Sequence, residues 1–209
     1  MAEGMCLGSG QIRKNGFCMK FLIVGLGNVG NEYAHTRHNI GFDIVNALVH
    51  KLGGQFRTDR HAYIAEVKFK GKILVCVCPT TYMNLSGKAV KYWMDKEKIA
   101  LENILVIVDE VALPLESLRL RPSGSDGGHN GLKSIQELLG TQAYPRLRFG
   151  IGNNFPKGLQ SDYVLGKWYK DEEPLVKLKI EKSVEAIEIF VTQGITMAMN
   201  AINNKGFSL

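Results

Sequence analysis

Residues 20–25 read KFLIVG and run straight into LGNVG at 26–30, so a continuous apolar stretch ends in a glycine-rich turn. A run that is apolar at consecutive positions, not alternate ones, belongs to a strand buried on both faces, as in a sheet covered by helices on either side. Gly25, Gly27 and Gly30 also spell G-x-G-x-x-G directly after that strand, the pattern of a dinucleotide site. Two features count against a dinucleotide. Such a site opens its helix at the third glycine, yet NEYAHTR at 31–37 carries no apolar helical stripe. It also needs a second parallel strand ending in an acid about 20 residues on, where this chain is still within its first helix. The glycines then serve as a tight turn, and a nucleotide-dependent oxidoreductase is kept as an alternative.

Outward from that turn, Ile40, Ile44, Leu48 and Leu52 recur every four residues with Val45 and Val49 beside them, which predicts an amphipathic helix stopped by Gly53 and Gly54. Tyr63, Ala65, Val67 and Phe69 recur at alternate positions with Glu66 and Lys68 between the last three, and Lys70-Gly71 turns the chain into Ile73, Val75 and Val77, a β-hairpin. A short helix is expected near Gly87–Lys96. NILVIVDE at 103–110 reads as a second buried strand, and LRLRP at 118–122 as a short alternating one. Leu132, Ile135, Leu138 and Leu139 predict a helix closed by Gly140, RLRFGIG at 146–152 another strand, and Asp171 as cap with Pro174 a long C-terminal helix through Val191. Interleaved strands and helices of this kind define an α/β fold, a single-domain three-layer α/β/α arrangement with a mixed, mostly parallel central sheet. Its site belongs at the carboxyl ends of the strands, after Gly25 and around Asp109.

With 45% hydrophobic and 22% charged residues the 209-residue chain has an ordinary globular composition, and disordered, collagen-like and low-complexity classes are excluded. Residues 1–18 lack the apolar stretch of a secretory signal and are expected to be a flexible or non-native leader, dispensable for activity, ahead of one domain over 19–209. No run of 18 apolar residues suggests a membrane span. Cys6, Cys18, Cys76 and Cys78 form no disulfide framework and suit a reducing cytoplasm, with Cys76 and Cys78 on one strand face as core thiols. The net charge of +6 favours an anionic partner.

Polar clusters fall beside the predicted strand ends: Asn28 with Tyr33, His38 with Asn39, Asn84 in PTTYMNLSG, Asp109 in VDE, and His129-Asn130 in GSDGGHNG. A carboxylate ending a buried strand can accept a bond from one imidazole nitrogen and free the other to take a proton from water, so His38 with Asp109 reads as a general-base pair. The amides of Asn28, Asn84 and Asn130 suit a carbonyl oxygen, a water or a peptide backbone, although each alone also suits a turn or cap. Ser86 reads as a helix cap, since no G-x-S-x-G elbow surrounds it. Arg119, Arg121, Lys133, Arg146 and Arg148 are a scattered basic set, solvated surface unless they converge, while the GSDGGHNG glycines offer backbone N–H groups to a phosphate. His35-x-x-His38 has no matching carboxylate or cysteine cluster, so no metal is expected.

Taken together, FLIVGLGNVGNEYAHTRHNIGF, PTTYMNLSGKAV, ILVIVDEVALP, LRLRPSGSDGGHNGLKS, PRLRFGIG and DYVLGK resemble the bacterial-type peptidyl-tRNA hydrolase family, in its order and spacing from Met19 nearly to the C-terminus. The resemblance implies a cytoplasmic, monomeric enzyme without metal or cofactor that hydrolyses the ester between a peptide and the terminal ribose of tRNA. It implies His38 as catalytic base, Asp109 as orienting carboxylate and Asn28 in the catalytic set. Tyr33, Met83, Asn84, His129 and Asn130 would then contact substrate, and Arg121 and Arg148 the tRNA 5′-phosphate region. Arginine stands at 121 where lysine is also familiar, and Ala112 departs from a D-E-L-D-L-P pattern, which removes a second acid but leaves Asp109. A non-catalytic RNA-binding module is the other alternative.

Overall fold

The computed structural model describes residues 18–209, so the leader expected over 1–18 lies, apart from Cys18, outside the described residues, as does Cys6. Seven strands form one sheet: β1 (Lys20–Gly25), β2 (Arg57–Asp59), β3 (Ala62–Phe69), β4 (Lys72–Pro79), β5 (Ile104–Glu110), β6 (Leu118–Arg121) and β7 (Arg146–Gly150), in the order β2-β3-β4-β1-β5-β7-β6. The centre β4-β1-β5-β7 is parallel throughout, whereas β3 and β6 run against their neighbours. Within that centre β1 and β5 are the strands predicted from apolar runs, β4 is the second arm of the predicted hairpin, and β7 falls within the strand predicted over 146–152. Phe21 and Ile23 point to one face and Leu22 and Val24 to the other, and all four are buried, because each face is covered by helices.

Helices α1 (Ile40–Lys51), α5 (Glu173–Gln193) and α6 (Ile195–Ile202) cover one face, and α2 (Ser86–Glu97) and α3 (Asn130–Leu139) the other. A short α4 (Gln160–Leu165) lies between β7 and α5. Cys76 and Cys78 are buried in the α1 face as expected, and burial pushes the Cys76 thiol up to about 12. The hairpin turn is made by Lys70 and Gly71 at φ 44° and 74°, the left-handed pair that a two-residue turn requires.

Some local expectations are corrected. The residue preceding α5 is Glu172, not Asp171, and it makes no side-chain cap bond because its carboxylate is committed elsewhere in the fold, although Pro174 does open the helix. Ser86 is the first residue inside α2, not its cap; it is fully buried and donates back to the Met83 carbonyl at 2.8 Å. Leu138 is 44% exposed, since the α3 stripe is narrower than its sequence spacing suggests.

Gly25 and Gly41 explain the glycines after β1. A Cβ on Gly25 would lie 2.1 Å from the Gly41 carbonyl oxygen, and one on Gly41 would lie 2.5 Å from the backbone nitrogen of Leu26. The glycines bring α1 into backbone contact with the end of β1. Gly41→Ala is therefore expected to cost about 3 kcal/mol through overpacking, read as a lower urea midpoint at unchanged slope.

Candidate active site

From β1 the chain leads through α1 on one face, and from β4 through α2 on the other, so the carboxyl ends of β1, β4 and β5 surround a crevice. Between β1 and α1 the residues Arg37–Asn39 form one 3₁₀ turn. Its Asn39, 4% exposed, clasps the β1 loop at two points: its carbonyl accepts from the Asn28 backbone N–H at 2.8 Å and its amide donates to the Asn28 carbonyl at 2.9 Å. The Asn28 backbone is thereby fixed at the cleft wall.

His38, in the same turn, donates from Nδ1 to Oδ1 of Asp109 at 2.9 Å, and the same oxygen lies 3.2 Å from Nε2 of His129. The His129 Nδ1 accepts from the backbone N–H groups of Gly131 and Leu132 at 3.1 and 3.4 Å, capping α3. That fixes the His129 proton on Nε2, where it is donated to Asp109. Asp109 thus receives two imidazole N–H groups, and Nε2 of His38 makes no hydrogen bond among the described residues. Burial presses on the Asp109 carboxyl to stay neutral, but the charge of His38 and the bonds from His129 and His38 hold it below the usual carboxylate range. For His38 burial acts downward, and the charge and hydrogen bond of Asp109 outweigh it, so its pKa is raised above 6.5.

His38 and Asp109 line a cleft of about 420 Å³ together with Asn28, Met83, His129 and Asn130. A second cleft, of about 960 Å³, holds Tyr33 and Asn84 and shares Asn28, Met83 and Asn130 with the first. The uncharged and catalytic-pair residues singled out from sequence therefore converge on two clefts joined at two asparagines and a methionine, whereas Arg121 and Arg148 line neither. His129 lines its cleft with both nitrogens already spent on protein partners. His38, Asp109 and His129 gather three donor atoms within 4.8 Å, but one carboxylate oxygen taking two N–H groups is a hydrogen-bonding arrangement. His35 goes elsewhere, to Asp43 at 3.0 Å.

The basic residues separate. Register pairs Arg119 with Arg148 and Arg121 with Arg146, which puts all four on one face of the β6–β7 edge. Arg119 and Arg121 are exposed. Arg146 is fully buried, donating to the Ser125 and Gln142 carbonyls and stacked 4.3 Å from the Tyr144 ring, so it is structural. Arg148 pairs with Glu110 at 2.7 Å and donates to the Ser125 carbonyl at 2.7 Å. Glu110 and the α4 residues Gln160, Ser161, Val164 and Leu165 line the first cleft without having been singled out from sequence, and Asn39, named there beside His38, turns out to clasp the β1 loop. Glu110 was legible as the second acid of VDE, and of α4 only Asp162–Leu165 fall within the stretch DYVLGK.

A carboxylate-bound histidine lining a cleft on the carboxyl edge of a helix-covered sheet defines an enzyme of the α/β class. The sequence profile described as peptidyl-tRNA hydrolase matches residues 22–208, and the chain belongs to that family. The peptidyl-tRNA hydrolases of Parabacteroides distasonis and Cytophaga hutchinsonii are each 54% identical to it over 187 residues, covering 90% of this chain and all of theirs. A crystal structure of peptidyl-tRNA hydrolase from Acinetobacter baumannii, 37% identical, superposes with a TM-score of 0.84 over 89% of this chain and 95% of that one.

Proposed function

We propose that the cleft carries out the family's reaction, hydrolysis of the ester joining a peptide to the terminal ribose of tRNA, with His38 as general base and Asp109 as the carboxylate that orients it. The observation that carries this is the 2.9 Å bond from Nδ1 of His38 to Asp109, which fixes the tautomer whose Nε2 can take a proton from water. The hydroxide attacks the ester carbonyl, an amide among Asn28, Asn84 and Asn130 stabilises the developing oxyanion, and the imidazolium returns its proton to the leaving ribose oxygen. Tyr33 and Met83 contact the bound substrate, and His129 supports Asp109 from the rim. Residues 19–209 are the catalytic unit, acting as a monomer in the cytoplasm, a reducing compartment that suits free thiols, with Cys76 and Cys78 in the core and Cys18 exposed.

The pH profile tests the base. Neutral His38 is the active form and its pKa lies above 6.5, so hydrolysis of an N-blocked aminoacyl-tRNA is expected to fall as pH drops through a value above that of free imidazole. A rate flat from about pH 5 to 8 removes His38 from the role.

The tRNA backbone is read by Arg121 and Arg148 near its 5′-phosphate, a contact whose strength follows salt. Arg121→Ala is expected to lower the salt slope of tRNA affinity by about one. Arg148→Ala acts twice, removing a cation and leaving the Glu110 carboxylate uncompensated, so its affinity falls further. Filter-binding titrations across ionic strength measure both, and slopes unchanged in the two variants exclude this phosphate site.

A further inference from the structure

A 3₁₀ turn has three residues per turn, so consecutive side chains leave it about 120° apart. In Arg37-His38-Asn39 each direction is used: His38 reaches Asp109, Asn39 clasps the Asn28 backbone, and Arg37 enters the segment that follows α4. There its side chain is 2% exposed. Nη1 donates to the Lys167 carbonyl at 2.6 Å and Nη2 to the Glu172 carboxylate at 2.7 Å. The rings of Tyr163, Trp168 and Tyr169 stand 4.4, 5.1 and 4.9 Å from the guanidinium carbon. The backbone joins in, with Arg37 N–H donating to the Gly166 carbonyl at 3.0 Å and Thr36 bridged to Lys167.

Stability is a poor account of this residue. A buried ion pair is often no better than well-packed apolar side chains of the same volume, and Nε of Arg37 is buried without a partner. What Arg37 joins is more telling: the turn carrying His38 on one side, and on the other the segment continuing from α4, whose Ser161, Val164 and Leu165 line the His38 cleft. We propose that Arg37 is a positioning residue whose caged guanidinium locks the α4 wall to the His38 turn, setting the cleft's width and the grip of His38 on Asp109 together. Lysine cannot replace it, because only the planar fork reaches a carbonyl and a carboxylate while stacking on aromatic rings.

The proposal rests on His38 as base for its effect on turnover, though not for its effect on the His38 imidazole. Arg37→Lys and Glu172→Gln are compared with the wild type by steady-state hydrolysis, by NMR titration of the His38 ring and by thermal melting. In Arg37→Lys, kcat/KM is expected to fall about 10- to 100-fold, with KM raised and the His38 titration moved down towards that of free imidazole. Glu172→Gln, which keeps the cage and loses the ion pair, shifts the same quantities less. Folded variants with wild-type kcat, KM and His38 titration overturn the proposal even where melting temperature drops. If Arg37→Lys does not fold, Glu172→Gln and Tyr169→Ala decide by the same readings. Should His38→Ala keep full turnover, the base assignment fails, and the ring titration still judges the Arg37 coupling separately.

Discussion

In His38→Ala, hydrolysis of N-blocked aminoacyl-tRNA is expected to drop by about 10²- to 10⁴-fold, the usual worth of a positioned general base, while tRNA affinity stays at the wild-type value. Binding survives because the basic residues proposed to hold the tRNA, Arg121 and Arg148, stand on the β6–β7 edge and not in the His38 turn. No neighbour can replace the lost imidazole. His129 is the nearest ring, 4.9 Å between centroids, but its Nδ1 is held by two amides of α3 and its Nε2 proton by Asp109. The residual rate comes from amide donors alone and loses the acid limb of the wild-type profile. Single-turnover hydrolysis and tRNA titration on the same two proteins settle the matter. Equal cleavage by both keeps the enzyme and discards the base, whereas binding without cleavage by either favours a non-catalytic RNA-binding module.

The adjacent strands β1 and β5 were legible because burial on both faces writes itself as a continuous apolar run, and the β3–β4 hairpin because Lys70-Gly71 is a turn pair. Strand β2 was not. Its residues Arg57–Asp59 are polar and exposed or nearly so, and only pairing with β3 makes them a strand. Helix α4 is six residues long with no buried residue, too short for a period to show. The break at Gly194, which sets α6 apart from α5 at φ 88°, is hidden in a pattern apolar on both sides. The site divides in the same way. His38 with Asp109 could be inferred because a carboxylate that ends a buried strand calls for a hydrogen-bonding partner, and an imidazole at the neighbouring helix start can supply it. The support from His129 depends on the α3 terminus meeting the end of β5, a contact made only by tertiary packing. Arg146 and Arg148 looked alike in RLRFG, yet strand alternation says nothing of Tyr144 above one or Glu110 beside the other. The three directions of the TRHN turn were invisible for the same reason: a 3₁₀ turn of polar residues has no hydrophobic period to announce it.

Asp109→Asn is expected to be as damaging as loss of His38 itself, for a different reason. The carboxylate accepts from Nδ1 of His38, which leaves the Nε2 lone pair available. An asparagine amide can instead donate to Nδ1, placing the imidazole proton on Nε2 and removing the base; in the serine-protease triad the same exchange costs about 10⁴-fold, and a loss of about 10³- to 10⁴-fold is expected here. A second effect has a definite sign. Burial alone depresses the His38 pKa, and it is the Asp109 charge and hydrogen bond that lift it above 6.5. With the charge gone burial remains, so the ring titrates below 6.5 and the residual activity keeps its acid limb at lower pH than the wild type. His129, bonded to the same oxygen, loses its charged acceptor too, so the α3 cap is expected to loosen and melting temperature to fall modestly. NMR titration of His38 alongside the pH–rate profile separates the causes. A lower plateau with the acid limb displaced downward supports an orienting carboxylate, whereas a lower plateau with the limb unmoved would mean that Asp109 only shapes the cleft.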